Sequence, residues 1–203
     1  MKVRAQIPTA DNCNNFSIAT GSETAVGTTL DNLKAAIGGE TGASAKYAAF
    51  AKAAKEQGYD QIARLFEATS AAEQIHIGLE YALVSEVEPD FEKPTAPDCS
   101  AEHTVDLNLI AGANGEIYET SDMYPAFIKK AQEEGNAKAV QVFTRAKLAE
   151  SVHAERYLAA YNDLDAADDD AFYLCPICGY IHKGEDFEKC PICFTPADKF
   201  RKF

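Results

Sequence analysis

The sequence lacks the features typical of membrane proteins, secreted proteins and nucleic-acid-binding proteins. None of its apolar runs approaches the roughly 18 residues needed to cross a bilayer, and the residues after Met1 show no apolar run typical of a signal peptide. Basic residues are scarce, with 19 Lys and Arg against 32 Asp and Glu, which gives a formal net charge of -13. These absences argue against membrane insertion and against nucleic-acid backbones or anionic membranes as partners. A nucleotide-binding glycine motif is also absent.

Cysteine is sparse but clustered. Of the six cysteines, four form two Cys-x-x-Cys pairs near the C-terminus: Cys175, Cys178, Cys190 and Cys193. This spacing is typical of a tetrahedral four-thiolate metal site rather than of a secreted disulfide framework. We therefore expect a reducing, cytoplasmic compartment. Cys13 and Cys99 lie outside the pattern and are expected to be ordinary thiols.

The cysteine pairs belong to a short C-terminal module, which we assign to residues 168–203. A chain of about 36 residues buries too little apolar surface to fold alone, so a bound metal is expected to hold the module together. Thiolates by themselves suit iron or zinc, and a structural zinc ribbon is an alternative. The acidic segment 166–171 before the module is interpreted as a solvated hinge.

The preceding region has helical periodicity. Helices are predicted at about 29–57, 60–88, 102–134 and 136–164, with the third interrupted at Gly112, Gly115 and Pro125. Gly58 and Gly135 are expected to end the first and third helices. Residues 1–27 show no clear pattern and are treated as an unassigned N-terminal extension.

Two halves of this helical region are related. When the sequence is shifted by 77 positions, 12 of the 36 positions from 47 to 82 are identical, whereas about two or three matches would arise by chance. Each half consists of a helix, a glycine stop and a second helix. Two such hairpins predict a four-helix bundle, which we assign to residues 28–167.

Glutamates and histidines interrupt the apolar stripe of each predicted helix. An unpaired carboxylate in a core costs several kcal/mol, so compensating cations are expected. Residues at i and i+3 share one helix face, and both can reach a metal in the bundle axis. A single Glu-x-x-His is common, but two in repeat register predict a dimetal site. Its candidate ligands are Glu40, Glu116, Glu73 with His76, and Glu150 with His153. Iron or manganese suits this set, with zinc as an alternative.

Glu80 is different, because the equivalent position in the second half is Tyr157. Glu80 is therefore expected at the rim or surface.

Residues 28–203 resemble the rubrerythrin family, in which a ferritin-like di-iron bundle precedes a rubredoxin-like domain. The resemblance is carried by Gly39-Glu40, Glu73-Gln74-Ile75-His76, Gly115-Glu116-Ile117-Tyr118-Glu119 with Met123-Tyr124-Pro125, Glu150-Ser151-Val152-His153 and the cysteine pairs. It implies an all-α four-helix bundle with a small C-terminal β-rich metal domain.

The resemblance also implies roles for individual residues. Glu73 and Glu150 would bridge two irons, with Glu40, Glu116 and His153 as terminal ligands. Glu119 would be exchanged for His76 on reduction. Tyr47 and Tyr124 would donate hydrogen bonds to ligand carboxylates, with simple core packing as the alternative. The four cysteines would hold one iron, for which zinc could substitute.

The function expected from the resemblance is reduction of hydrogen peroxide to water, protecting against oxidative stress. Electrons would reach the bundle through the four-cysteine iron from a separate NAD(P)H-linked reductase or a rubredoxin. If the hinge holds the two centres apart, transfer would run between subunits of a head-to-tail homodimer. The alternatives are a ferroxidase-like protein that oxidises or stores iron, and a structural zinc protein.

Overall fold

The computed structural model of the chain describes residues 24–101, 103–164 and 169–203. Most of the predicted N-terminal extension, including Cys13, lies outside these residues. The same holds for positions 166–168 of the predicted hinge and for the assigned boundary between residues 167 and 168.

The bundle is built from two helical hairpins. The first contains α1 (Thr29–Glu56) and α2 (Asp60–Val87). The second contains a broken helix, α3 (Val105–Tyr118), a π-helix (Glu119–Met123) and α4 (Tyr124–Glu133), followed by α5 (Ala137–Asn162). Four helical rods therefore enclose one axis, as the internal repeat predicts.

The helix ends have local causes. Thr28 begins α1 through a capping box, in which its hydroxyl accepts from the Asp31 N–H while the Asp31 carboxylate accepts from the Thr28 N–H. Gly58 and Gly135 follow the first helix of each hairpin with φ of 80° and 70°. Glycine adopts this left-handed conformation without a Cβ clash, so both predicted stops are confirmed.

The prediction for the third helix was wrong about what interrupts it. Gly112 and Gly115 lie within α3, and Pro125 lies in the first turn of α4, where its missing N–H costs little. The interruption is the π-helix that begins at Glu119. Gly112 serves packing instead, because a Cβ there would stand 2.9 Å from Tyr157 Cε2.

The C-terminal module contains a three-stranded antiparallel sheet in the order β2-β1-β3. Its strands are β1 (Phe172–Leu174), β2 (Ile181–Lys183) and β3 (Arg201–Lys202). Phe172, Leu174 and Ile181 join the buried apolar cluster that includes Tyr47 and Phe66 of the bundle. The module therefore packs on the bundle of its own chain. The two centres are not held apart within one chain, which was the condition for expecting transfer between subunits. Within the described residues, no helix is long and apolar enough to span a membrane.

Candidate metal centre

The middle of the bundle is polar. Two apolar clusters fill its ends, one around Tyr47 and the other around Tyr124. Between them lie fully buried ionisable side chains contributed by all four helical rods: Glu40, Glu73, His76, Glu80, Glu116, Glu150 and His153. Every candidate ligand predicted from the repeat is therefore in the core.

These side chains form two overlapping groups. One contains Glu40, Glu73, His76 and Glu150, and the other contains Glu73, Glu116, Glu150 and His153, with the ligand atoms of each group within 4.8 Å of one another. Glu73 and Glu150 are common to both groups. The two Glu150 oxygens lie 2.6 Å from His76 Nδ1 and 2.6 Å from His153 Nδ1 respectively. The geometry therefore provides two adjacent metal positions with two shared carboxylates.

The donor atoms fit bound cations. At least one buried carboxylate oxygen of each of Glu40, Glu73, Glu116 and Glu150 lacks a hydrogen-bond partner. Burial and neighbouring negative charge raise the pKa of Glu73 well above its usual value. Divalent metals would compensate this charge and occupy the unpartnered oxygens, and the mixture of carboxylates with imidazole suits iron.

The histidines are oriented by the C-terminal module. His76 Nε2 lies 3.1 Å from the Cys178 carbonyl oxygen, and His153 Nε2 lies 2.8 Å from the Gly179 carbonyl oxygen. A carbonyl only accepts, so each Nε2 donates and each Nδ1 is left as a lone-pair donor facing the glutamates. The same contacts join the two predicted metal centres directly.

Tyr124 and Glu80 form a second layer on one side of this cage. The Tyr124 hydroxyl donates to Glu40 and lies 3.1 Å from Glu80 Oε1. The expected location of Glu80 at the rim was wrong, since its side chain is fully buried one turn after His76. Burial raises the pKa of Glu80 to about 8, and the nearby His76 and Tyr124 only partly oppose this. Its place on the core-facing stripe was the sequence signal for burial.

Tyr47 lies on the opposite side. Its buried hydroxyl has no well-aligned hydrogen bond within the described part of the chain. It nevertheless stands close to Glu116. Burial acts to raise the pKa of Glu116, but His153, with smaller help from Glu150 and Tyr47, lowers it.

Glu119, which the resemblance adds to the ligands predicted from the repeat, is placed differently from the other glutamates. It begins the π-helix, is 7% exposed and belongs to neither four-residue group. Its Oε2 is buried without a hydrogen-bond partner. It lines a cavity of about 680 Å³ between α1, α3 and the segment that precedes α3; other lining residues include Lys46, Tyr47, Cys99, His103 and Gly115. Nothing in the sequence predicted the π-helix, a feature that is frequent at functional sites.

The four module cysteines form a compact cluster. Their sulfurs lie within 4.8 Å of one another, with Cys175–Cys193 and Cys178–Cys190 separations of 3.4 Å each. These values are close to the edge of about 3.8 Å of a tetrahedron with metal–sulfur bonds of about 2.3 Å. The predicted four-thiolate site is therefore assembled by the fold. Cys99 is also a free thiol, remote from this cluster in sequence and lining the cavity beside Glu119.

The chain is similar to known proteins along its whole length. Family models described as rubrerythrin and as the rubredoxin-like domain of rubrerythrin match residues 31–161 and 173–201. The chain is 77% identical to nigerythrin of Nitratidesulfovibrio vulgaris over 203 residues, covering 100% of both chains. It is 32% identical over 178 residues to rubrerythrin-2 of Clostridium acetobutylicum, covering 86% of this chain and 96% of that protein.

Solved structures agree with this similarity. A structure described as the fully reduced, all-ferrous state of nigerythrin matches with a TM-score of 0.89, 77% identity and complete coverage of both chains. Symerythrin from Cyanophora paradoxa shares the fold, with a TM-score of 0.59 at 23% identity over 72% of this chain and 91% of that one. The predicted ferritin-like bundle with a rubredoxin-like domain is confirmed, as are its two kinds of iron site.

Proposed function

Because the chain belongs to the rubrerythrin family, whose members are generally di-iron proteins of oxidative-stress defence, we propose that it reduces hydrogen peroxide to water. When bound and reduced, the bundle irons would supply two electrons together, and the four-cysteine iron would supply them one at a time. The observation that carries the proposal is the pair of hydrogen bonds from His76 and His153 to the Cys178 and Gly179 carbonyls. They give an electron a short route between the two centres.

The bundle residues would divide the work of holding the metals. Glu73 and Glu150 are the proposed bridging ligands, because both are shared by the two four-residue groups. Glu40, Glu116 and His153 are the proposed terminal ligands. His76 and Glu119 are proposed to alternate at one metal. The arrangement with His76 inside its group and Glu119 outside supports a ligand that can be exchanged.

Other side chains would position the ligands and control access to the metals. Tyr124 holds Glu40 in place through its hydroxyl, and Tyr47 is proposed to act in the same way on Glu116. The cavity beside Glu119 offers a path for a molecule as small as peroxide. The apolar clusters at the two ends of the bundle exclude bulk water from the remaining sides.

Electrons must come from elsewhere, since the sequence has no nucleotide-binding glycine motif. We propose that a separate NAD(P)H-linked reductase or a rubredoxin delivers them to the cysteine centre. We further propose a cytoplasmic location, in keeping with cysteines that serve as metal ligands, and a homodimer or larger assembly. The proposed division into residues 28–167 and 168–203 is supported by the separate spans of the two family models.

The test is anaerobic reduction of the iron-loaded protein, followed by mixing with peroxide or with air-saturated buffer. Reoxidation of the four-cysteine chromophore is recorded for each oxidant. Faster reoxidation by peroxide supports the proposal, whereas an equal or greater rate with dioxygen favours iron oxidation or storage. Replacing Glu119 by Ala should slow the peroxide reaction and leave the cysteine absorption unchanged.

A further inference from the structure

The carboxyl group of Glu119 is buried. In the arrangement observed here it stands outside both four-residue groups, with Oε2 unpartnered. Burial, followed by the charges of Glu40 and Glu116, raises the pKa of Glu119 well above its usual value, and the charge of Lys46 opposes this rise. A buried carboxylate that is neither on a metal nor near a cation is costly by several kcal/mol, and Lys46 supplies the positive charge that favours it.

Lys46 lines the same cavity as this carboxyl group. It lies on α1 beside Tyr47, is partly buried, and places Nζ 5.0 Å from the centroid of the Tyr47 ring. The same Nζ is 3.4 Å from the position that a Cβ on Gly115 would occupy. Position 115 is four residues before Glu119, so the two positions share one helix face. The ammonium group therefore lies against α3 on the face that leads to Glu119.

Lys46, Gly115 and Glu119 line the same cavity. A Cβ on Gly115 would stand 3.2 Å from the Tyr47 hydroxyl and 3.4 Å from Lys46 Nζ, so the glycine leaves room for the ammonium group beside α3. A lysine is suited to this position because its ammonium is a compact charge on a flexible stem. The flexible stem lets the ammonium group adjust when the carboxyl group moves.

We propose that Lys46 is a positioning residue that holds the Glu119 carboxylate at the cavity wall whenever that carboxylate is not bound to metal. The inference rests on the proposed function only in taking Glu119 as a ligand that binds and leaves the bundle irons. Lys46 then stabilises the form of the site in which His76 replaces Glu119. Removing its charge shifts the balance toward Glu119 on the metal, which is the oxidised form.

The test measures the reduction potential of the bundle iron pair in iron-loaded protein, under anaerobic conditions and without peroxide. Lys46→Met should lower the potential by the equivalent of about a tenfold change in the ratio of reduced to oxidised protein. Lys46→Arg should restore most of this shift. Lys55→Met is the matched control, because Lys55 is exposed on the same helix about 13 Å further along.

A double-mutant cycle separates positioning from simple electrostatics. In a Glu119→Ala background, Lys46→Met should leave the potential unchanged, because its effect acts through Glu119. An equal shift in both backgrounds would mean that Lys46 acts on the irons directly and would overturn the proposal, as would no shift in the single variant. If Glu119→Ala loses iron, Glu119→Gln provides the same neutral background.

The outcome is independent of peroxide turnover. A protein that shows the Lys46–Glu119 coupling but does not reduce peroxide would refute the proposed reaction and leave the positioning role intact. A protein that reduces peroxide without the coupling would refute the positioning role of Lys46 and leave the proposed reaction intact. The potential of the cysteine centre, measured in the same samples, should be the same in all variants.

Discussion

The carbonyl oxygen of Cys178 accepts a hydrogen bond from His76 Nε2 over 3.1 Å, so a residue of one metal centre directly contacts a residue of the other. The adjacent carbonyl of Gly179 does the same for His153 over 2.8 Å. One turn of the first cysteine knuckle thus fixes the tautomer of both bundle histidines. The C-terminal module is therefore part of the bundle site rather than an appendage to it.

A side chain at Gly179 would break this contact. Its φ is +76°, and a Cβ at this position would overlap His76 Nε2. Gly179→Ala should therefore push the knuckle away from the histidines and slow electron transfer between the centres by about tenfold or more, while the absorption of the cysteine site is retained. Stopped-flow reoxidation of that site by peroxide measures the rate.

Gly184→Ala is the matched control for this variant. Gly184 has a similar φ of +86°, but nothing lies within 4 Å of an added Cβ. It carries the same backbone strain of about 1–2 kcal/mol without the clash. If the two variants transfer electrons equally fast, the contact between Gly179 and His76 does not matter for the relay.

Tyr124 should contribute to stability through the two carboxyl groups that it contacts. Tyr124→Phe removes the buried hydroxyl that donates to Glu40 and contacts Glu80, and the free energy of unfolding should fall by about 1–3 kcal/mol. Tyr81→Phe is the control, because the Tyr81 hydroxyl donates to the Phe91 carbonyl at a partly exposed site. Chemical denaturation of both metal-free variants makes the comparison. Equal losses would argue against a special role for Tyr124.

The metal is expected to hold the cysteine module together, since its strands contain only two or three residues each. Cys175→Ser should lower the melting temperature of the module and release the strand residues Phe172 and Leu174 to hydrogen exchange. Cys99→Ser, a change at a thiol outside the cluster, should leave both unchanged. Protection of β1 that survives the loss of metal would show that packing on the bundle suffices.

Most of the correct predictions about the bundle site followed from the internal repeat. It placed Glu73, Glu150 and their histidines on equivalent faces, because helical periodicity and core burial are local properties of the sequence. The repeat misled at Glu80, where the lack of a counterpart suggested exposure, although the core-facing stripe that contains it continues past His76. The π-helix at Glu119 and the contact between Cys178 and His76 depend on packing between distant segments, which spacing along the chain does not encode.

Gly112 offers a direct test of how closely α3 and α5 pack. A Cβ at Gly112 would stand 2.9 Å from the ring of Tyr157, which is fully buried and hydrogen-bonded to Thr69. Gly112→Ala should therefore destabilise the bundle by about 1–3 kcal/mol. Gly78→Ala, in the exposed middle of α2 with nothing within 4 Å of the added Cβ, should instead stabilise it by about 0.5–1 kcal/mol. The two substitutions are chemically identical, so opposite signs in thermal or chemical unfolding would isolate the contact with Tyr157. A stabilising Gly112→Ala would mean that Tyr157 can move aside at little cost.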